Sequence, residues 1–141
     1  YYLIRHAEKD RTDPENHNPS LNTKGKERAE RWVAYFKDKE LDAVYATNYN
    51  RTQETAAPTA KMLDVEVQSY DPRNLYDDSF REATEGKNVL VVGHSNTTPQ
   101  FANAIMGGSS NLKDMSDTEN SLVYIVTVNK NNAIVTIETV D

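Results

Sequence analysis

Tyr2-Leu3-Ile4-Arg5-His6-Ala7-Glu8-Lys9 and Val89-Leu90-Val91-Val92-Gly93-His94-Ser95-Asn96 are the two stretches on which the fold turns. In each, an apolar run of strand character stops at a histidine, so each imidazole is expected at the carboxyl end of a buried strand. Open α/β sheets bind their ligands at that end. The run 89–92 is apolar without alternation, as in a strand covered on both faces. Residues 98–106 follow it directly as a helix, with Pro99 in the first turn and Gly107 past the end.

Working outward, residues 1–5 read as the first strand and 10–22, rich in Asp, Asn and Pro, as a long loop. Between 23 and 38 the apolar positions Ala29, Trp32, Val33, Tyr35 and Phe36 recur at helical spacing. A short strand over 41–46 and a helix over 51–63 come next, the helix starting near Asn48 or Asn50 as cap. Residues 65–70 alternate like a strand, and 79–85 form a short helix stopped by Gly86. Two β-rich runs, 122–128 and 133–140, flank the turn residues Asn129, Lys130, Asn131 and Asn132. The alternation predicts an α/β fold in three layers, α/β/α, with a mostly parallel central sheet and an antiparallel edge.

The 141 residues, 37% of them hydrophobic, suffice for one domain spanning 1–141, with no linker. Sixteen Lys and Arg against 22 Asp and Glu give a net charge of -6, which argues against a nucleic-acid surface. An anionic substrate must therefore meet a local cationic pocket. With no Cys, disulfides, thiolate catalysis and cysteine metal sites are excluded. No apolar run nears the roughly 18 residues of a membrane span. The chain opens at Tyr1, inside a strand and without Met, which leaves room for a trimmed leader and so for a cytoplasmic, periplasmic or secreted location.

Arg5 and His6 are neighbours on a strand, and both address one pocket if the strand ends between them and the chain turns. Arg51 follows the strand 41–46 and lies in the first turn of the next helix, where an anion would also meet free backbone N–H groups. With His94, two Arg and two His converge on one sheet edge, the outline of a phosphate pocket. Phosphoryl transfer asks the protein to position a nucleophile and to stabilise charge on the equatorial oxygens, and forked guanidiniums suit that task. A histidine nucleophile must be neutral, and nearby arginines disfavour its protonation. A zinc site from His6, Glu8 and His94 is the competing assignment, but two arginines beside a dication oppose it. No metal and no organic cofactor is expected, and no glycine-rich dinucleotide loop is present.

At these residues the chain resembles the histidine phosphatase superfamily, which also contains the cofactor-dependent phosphoglycerate mutases. Four blocks in order carry the resemblance. They are Leu3 to Lys9, then Leu21-Asn22-Thr23-Lys24-Gly25-Lys26-Glu27-Arg28-Ala29, then Ala46-Thr47-Asn48-Tyr49-Asn50-Arg51-Thr52-Gln53-Glu54-Thr55-Ala56, and finally Val92 to Asn96. The resemblance implies a phosphohistidine on His6, a phosphate pocket completed by Arg5, Arg51 and His94, and release of phosphate by water. Ala7 departs from the pattern, standing where many relatives have Gly.

A leaving group needs a proton. Mutase-like relatives carry a Glu some way after the second Arg, and the matching stretch here holds Asp77, Asp78 and Glu82; Asp78 is taken as the acid. Ser95 excludes the branch with Asp directly after the second His. Glu8 stands as a substitute acid or substrate contact. Asn96, and less so Asn18, are candidates to hydrogen-bond a phosphate oxygen, while His17 reads as an exposed loop residue. Three functions follow: a phosphomonoester hydrolase, a mutase, or a phosphate-binding module without turnover. The short stretch between Arg51 and His94 leaves little room for the capping insertion a mutase requires. A compact site fits a phosphorylated small molecule or a phosphoprotein.

Overall fold

A computed structural model describes residues 1–141. It contains β1 (Tyr2–Arg5), α1 (Thr23–Phe36), β2 (Ala43–Ala46), α2 (Asn50–Leu63), β3 (Val67–Ser69), α3 (Asp78–Thr84), β4 (Val89–Gly93), α4 (Thr97–Met106), β5 (Leu122–Val128) and β6 (Ala133–Thr139). The six strands form one sheet in the order β3-β2-β4-β1-β5-β6. β3, β2, β4 and β1 run parallel, β1 pairing Tyr2 with Leu90 through Arg5 with Gly93. β5 and β6 are antiparallel, as the turn at 129–132 predicts, with the Asn129 amide donating to the Asn132 carbonyl at 2.7 Å.

Strand alternation divides the apolar residues between two cores. Leu3, Tyr45, Val89 and Val91 point into one, beneath Phe80 of α3 and Phe101, Ala102 and Ile105 of α4. Ile4, Val44, Ala46, Leu90 and Val92 point into the other, beneath Trp32 and Phe36 of α1 and Ala56 and Ala60 of α2. This is the three-layer arrangement, and it explains why β4 lacks alternation: both its faces are covered. Trp32 and Phe36, both wholly buried, each contribute about 1.5–3 kcal/mol by leaving water.

The boundaries that differ from expectation have local causes. β3 starts at Val67 because the Val65 amide closes the end of α2 on the Ala60 carbonyl, after Asp64 turns left-handed at φ 57°. β2 starts at Ala43 because Glu40, at φ 55°, bends the chain, and the Asp42 carboxylate accepts from the Asn88 amide. Neither Asn48 nor Asn50 caps α2. Its cap position is Tyr49, without a side-chain bond, and Asn18 reaches in from the 10–22 loop so that its Oδ1 accepts from the Asn50 amide at 2.8 Å.

Candidate functional site

β1 ends at Arg5 and β4 at Gly93, paired to each other, and the His6 amide extends the ladder by donating to the Gly93 carbonyl at 2.9 Å. The chain then turns. The Ala7 amide donates to Thr55 Oγ1 at 2.8 Å, and Asn120 Nδ2 donates to the His6 carbonyl at 3.0 Å, so both peptides around His6 are clamped. Ala7 is wholly buried and its φ is not positive, so its methyl group is accommodated without backbone strain. Gly25 of α1 packs directly on this turn, and a Cβ there would stand 2.1 Å from the Glu8 carbonyl oxygen. That close approach is why the second sequence block carries glycine.

A cavity of about 570 Å³ opens at this end of the sheet. Arg5, His6, Arg51 and His94 all line it, with Asn96, Lys9, Tyr49, Asp114 and Asp117. The two histidine rings lie 5.7 Å apart at 65°. His6 Nδ1 is 2.7 Å from the Ala7 carbonyl, which only accepts, so Nδ1 carries the proton and Nε2 keeps its lone pair, without any protein partner. Burial above all, then the charges of Arg5 and Arg51, pushes His6 down to about 3 and outweighs the Ala7 hydrogen bond. Burial and then Arg51, Lys9 and Arg5 bring His94 down to about 4. Both imidazoles are therefore neutral at pH 7, and desolvation, more than the arginines, is the cause.

Arg5 is almost wholly buried. Its Nη1 donates to the carbonyls of Ser116, Asp117 and Glu119 at 3.2, 3.1 and 2.8 Å, and its Nη2 reaches Asp117 Oδ1 at 3.4 Å. The loop after α4 thus fixes the fork from behind. Arg5 Nε, and Arg51 Nε and Nη1, are buried without partners. Such donors are costly to leave unmade, and in a cavity that also holds two neutral histidines they are what an oxyanion would satisfy. The Arg51 guanidinium lies 4.7 Å over the Tyr49 ring, which meets the His94 ring edge to face at 5.1 Å. Asn96 Oδ1 accepts from the Thr97 amide at 2.8 Å, leaving its NH2 for a ligand. The helix start beside Arg51 is less open than expected, since Asn18 already occupies the Asn50 amide. Asn18 itself is thereby committed to capping α2.

The carboxylates expected as acids are elsewhere. Asp78 opens α3, its side chain 85% exposed and paired with Arg81 at 3.0 Å, and it does not line the cavity. Asp77 caps α3 through the Phe80 amide. Glu82 lines a separate cavity of about 640 Å³ beside Tyr1 and Tyr2, at the amino end of β1, and no histidine lines it. The reason is local: α3 buries Phe80 against Tyr1 and Tyr45, and its first turn leaves Asp78 exposed in the pair with Arg81. Glu8 lies outside the cavity in a two-pronged ion pair with Arg28, Oε1 to Nε at 2.8 Å and Oε2 to Nη2 at 3.1 Å, with Lys24 at 3.8 Å.

The carboxylates that do line the cavity, Asp114 and Asp117, went unsuspected because the sequence around them carries no periodic signal. Asp117 binds Arg11 at 3.2 Å as well as Arg5, and these bonds hold it below the usual carboxylate range. No three His, Asp or Glu side chains assemble as a metal-binding group. No helix is long and apolar enough to cross a membrane.

Comparison with known proteins agrees with this geometry. The chain aligns over 97% or more of its length with SixA, described as a protein histidine phosphatase in complex with tungstate (18% identity, TM-score 0.72, 98% of this chain and 95% of that one), and with Bacillus stearothermophilus YhfR (18%, 0.73, 97% and 95%). A phosphoserine phosphatase from Entamoeba histolytica aligns at 14% identity and TM-score 0.66, over 96% of this chain and 93% of that one. At such identities the likeness is one of fold. No curated protein sequence matches the chain. Residues 1–72, half of the chain, match the family profile described as histidine phosphatase superfamily (branch 1), and they include Arg5, His6 and Arg51. The chain belongs to the histidine phosphatase superfamily.

Proposed function

We propose that the protein is a phosphomonoester hydrolase that works through a phosphohistidine on His6. The observation that carries this is the pairing of a buried, neutral imidazole, its Nε2 lone pair free, with unpartnered guanidinium donors of Arg5 and Arg51 around the same cavity. His6 Nε2 attacks phosphorus; the N–P bond forms as the ester P–O bond breaks, and the departing oxygen takes its proton from solvent water in the open cavity. Water then attacks phosphorus, the N–P bond breaks, and inorganic phosphate leaves. Arg5, Arg51 and Asn96 hold the equatorial oxygens, and the dry setting of the arginines strengthens their pull on developing charge.

Asp117 is spent on two guanidiniums and is not a proton donor at neutral pH. With no buried carboxyl facing the cavity, leaving groups that depart with little proton assistance are the best substrates. A ring nitrogen or a phenol qualifies; an alkyl alcohol does not. The wide mouth, edged by the exposed Asn96 and Tyr49, suits a phosphorylated side chain on a protein as well as a small ester and favours hydrolysis over retention of the phosphoenzyme, as a mutase would need. The test is hydrolysis of an aryl phosphate without added metal, by wild type and by His6→Ala. Turnover in the first and none in the second is expected; substantial hydrolysis by His6→Ala removes the nucleophile assignment.

A further inference from the structure

We propose that the hydroxyls of Thr52 and Thr47 form a positioning pair that fixes His94 as its Nε2–H tautomer and leaves Nδ1 as the nitrogen that meets the phosphate. The catalytic consequence rests on the function proposed above; the tautomer does not.

Thr52 Oγ1 lies 2.7 Å from the Thr47 carbonyl oxygen and 3.1 Å from that of Tyr49. Two oxygens at 2.7 Å need a proton between them, and a carbonyl has none, so the single Thr52 hydroxyl proton is committed there. Thr47 Oγ1 stands 2.9 Å from Thr52 Oγ1, and that contact must be filled by the Thr47 proton. Thr47 then has only a lone pair to offer His94 Nε2, also 2.9 Å away, and Nε2 must be the donor. Both threonines are 0% exposed, so no water can reverse the chain.

The backbone holds the relay in place. The Thr47 amide donates to the Val92 carbonyl at 3.4 Å, and the His94 amide donates to Thr97 Oγ1 at 2.9 Å. His94 Nδ1 has no protein partner, and the residue lines the cavity. The charged and titratable groups around it are Arg51 and Tyr49 on the α2 side and Arg5, His6 and Lys9 on the β1 side. Asp114 and Asp117 also line the cavity, but Asp117 is engaged by Arg5 and Arg11 and neither carboxylate bonds the His94 ring, so nothing in the empty site favours a second proton on it. His94 therefore meets an incoming monoanionic ester with a lone pair. The proton moves from the P–OH oxygen to Nδ1 and stays as an N–H donor to that same oxygen, now charged.

The chain has only three histidines, so long-range ¹H–¹⁵N spectra of the labelled protein at pH 7 resolve the question directly. In the wild type, His94 Nε2 is expected to resonate as a pyrrole-type nitrogen and Nδ1 as a pyridine-type one. Thr52→Val frees the Thr47 proton to turn toward Nε2 and is expected to shift His94 toward the Nδ1–H form. Thr47→Val gives a mixture, whereas Thr47→Ser keeps the wild-type pattern. With an aryl phosphate, Thr47→Val raises KM roughly three- to tenfold, the factor for one lost hydrogen bond, and Thr47→Ser restores it. A wild-type His94 protonated on Nδ1 alone overturns the proposal, as does an unchanged pattern in Thr52→Val. The wild-type spectrum decides even if a variant does not fold. The expected tautomer in a protein that turns over no phosphomonoester upholds the relay and contradicts the phosphatase function.

Discussion

Glu8→Gln separates a scaffold residue from a substrate contact. Glu8 and Arg28 are 15% and 11% exposed, and both carboxylate oxygens are used. Glutamine keeps the shape and one acceptor but turns an NH2 toward one guanidinium nitrogen, leaving a largely buried charge with half its partners. Truncating one side of a buried pair costs about 3–5 kcal/mol, and a single charged hydrogen bond about 1.5–3 kcal/mol. With one bond retained and some solvent access, about 2 kcal/mol is expected here. For 141 residues, an unfolding entropy of roughly 0.3 kcal/mol per degree turns this into a Tm lower by about 7 °C.

Burial pushes the Glu8 carboxyl up, but the Arg28 hydrogen bond and the charges of Arg28 and Lys24 outweigh it and hold it below its ordinary value. A depressed folded-state value means the contribution is complete above the unfolded value of about 4.3 and is lost as pH falls through the folded one. The difference between wild type and Glu8→Gln should therefore be full at pH 7, begin to shrink only below about pH 4.3, and vanish once the pH lies below the depressed folded-state value. Urea unfolding of Glu8→Gln, Arg28→Met and the double variant should show coupling of about 1–2 kcal/mol, with KM unchanged in Glu8→Gln. An unchanged Tm together with a raised KM refutes the reasoning and returns Glu8 to the substrate.

With His6 and His94 held at about 3 and 4, the folded protein binds fewer protons than the unfolded chain below pH 6.5, so stability should fall as pH drops from about 6.5 toward 4, visible as a declining Tm. The acid limb of kcat/KM should also lie below pH 5; a limb near 6.5 would show an exposed imidazole in control. Gly25→Ala should shift α1 away from the His6 turn and cost both stability and turnover, because its Cβ would meet the Glu8 carbonyl oxygen at 2.1 Å; a stable, fully active variant would contradict the close approach. Asp78→Asn should leave rates with aryl and alkyl phosphates alike untouched, and selective slowing of the alkyl ester would bring Asp78 back as the acid.

The fold and the candidate site are legible in the sequence where a residue and its surroundings are encoded together. An apolar run stopped by histidine locates β1 and β4, and the cavity duly gathers Arg5, His6, Arg51 and His94. Fold and site are not legible where the partner is distant and carries no side-chain signal. Arg5 is fixed by backbone carbonyls more than 110 residues away, and any sequence between 107 and 121 can offer carbonyls. The cap of α2 comes from Asn18, 32 residues upstream, where a neighbouring Asn was the natural guess. The arginines beside His6 in the motif predict its neutrality, but burial, which only the packed fold reveals, is the larger cause. The position of Asp78 along the chain carries no information on where its side chain goes, and it stands exposed, paired with Arg81, outside the cavity lining.

Rapid acid-free quench of the protein mixed with a ³²P-labelled aryl phosphate tests the central claim most directly. Acid-labile, base-stable label on the wild type, appearing within one turnover, decaying as phosphate is released, and lost in His6→Ala, is the predicted result. Steady turnover with no protein-bound label, or label that persists in His6→Ala, would contradict the account.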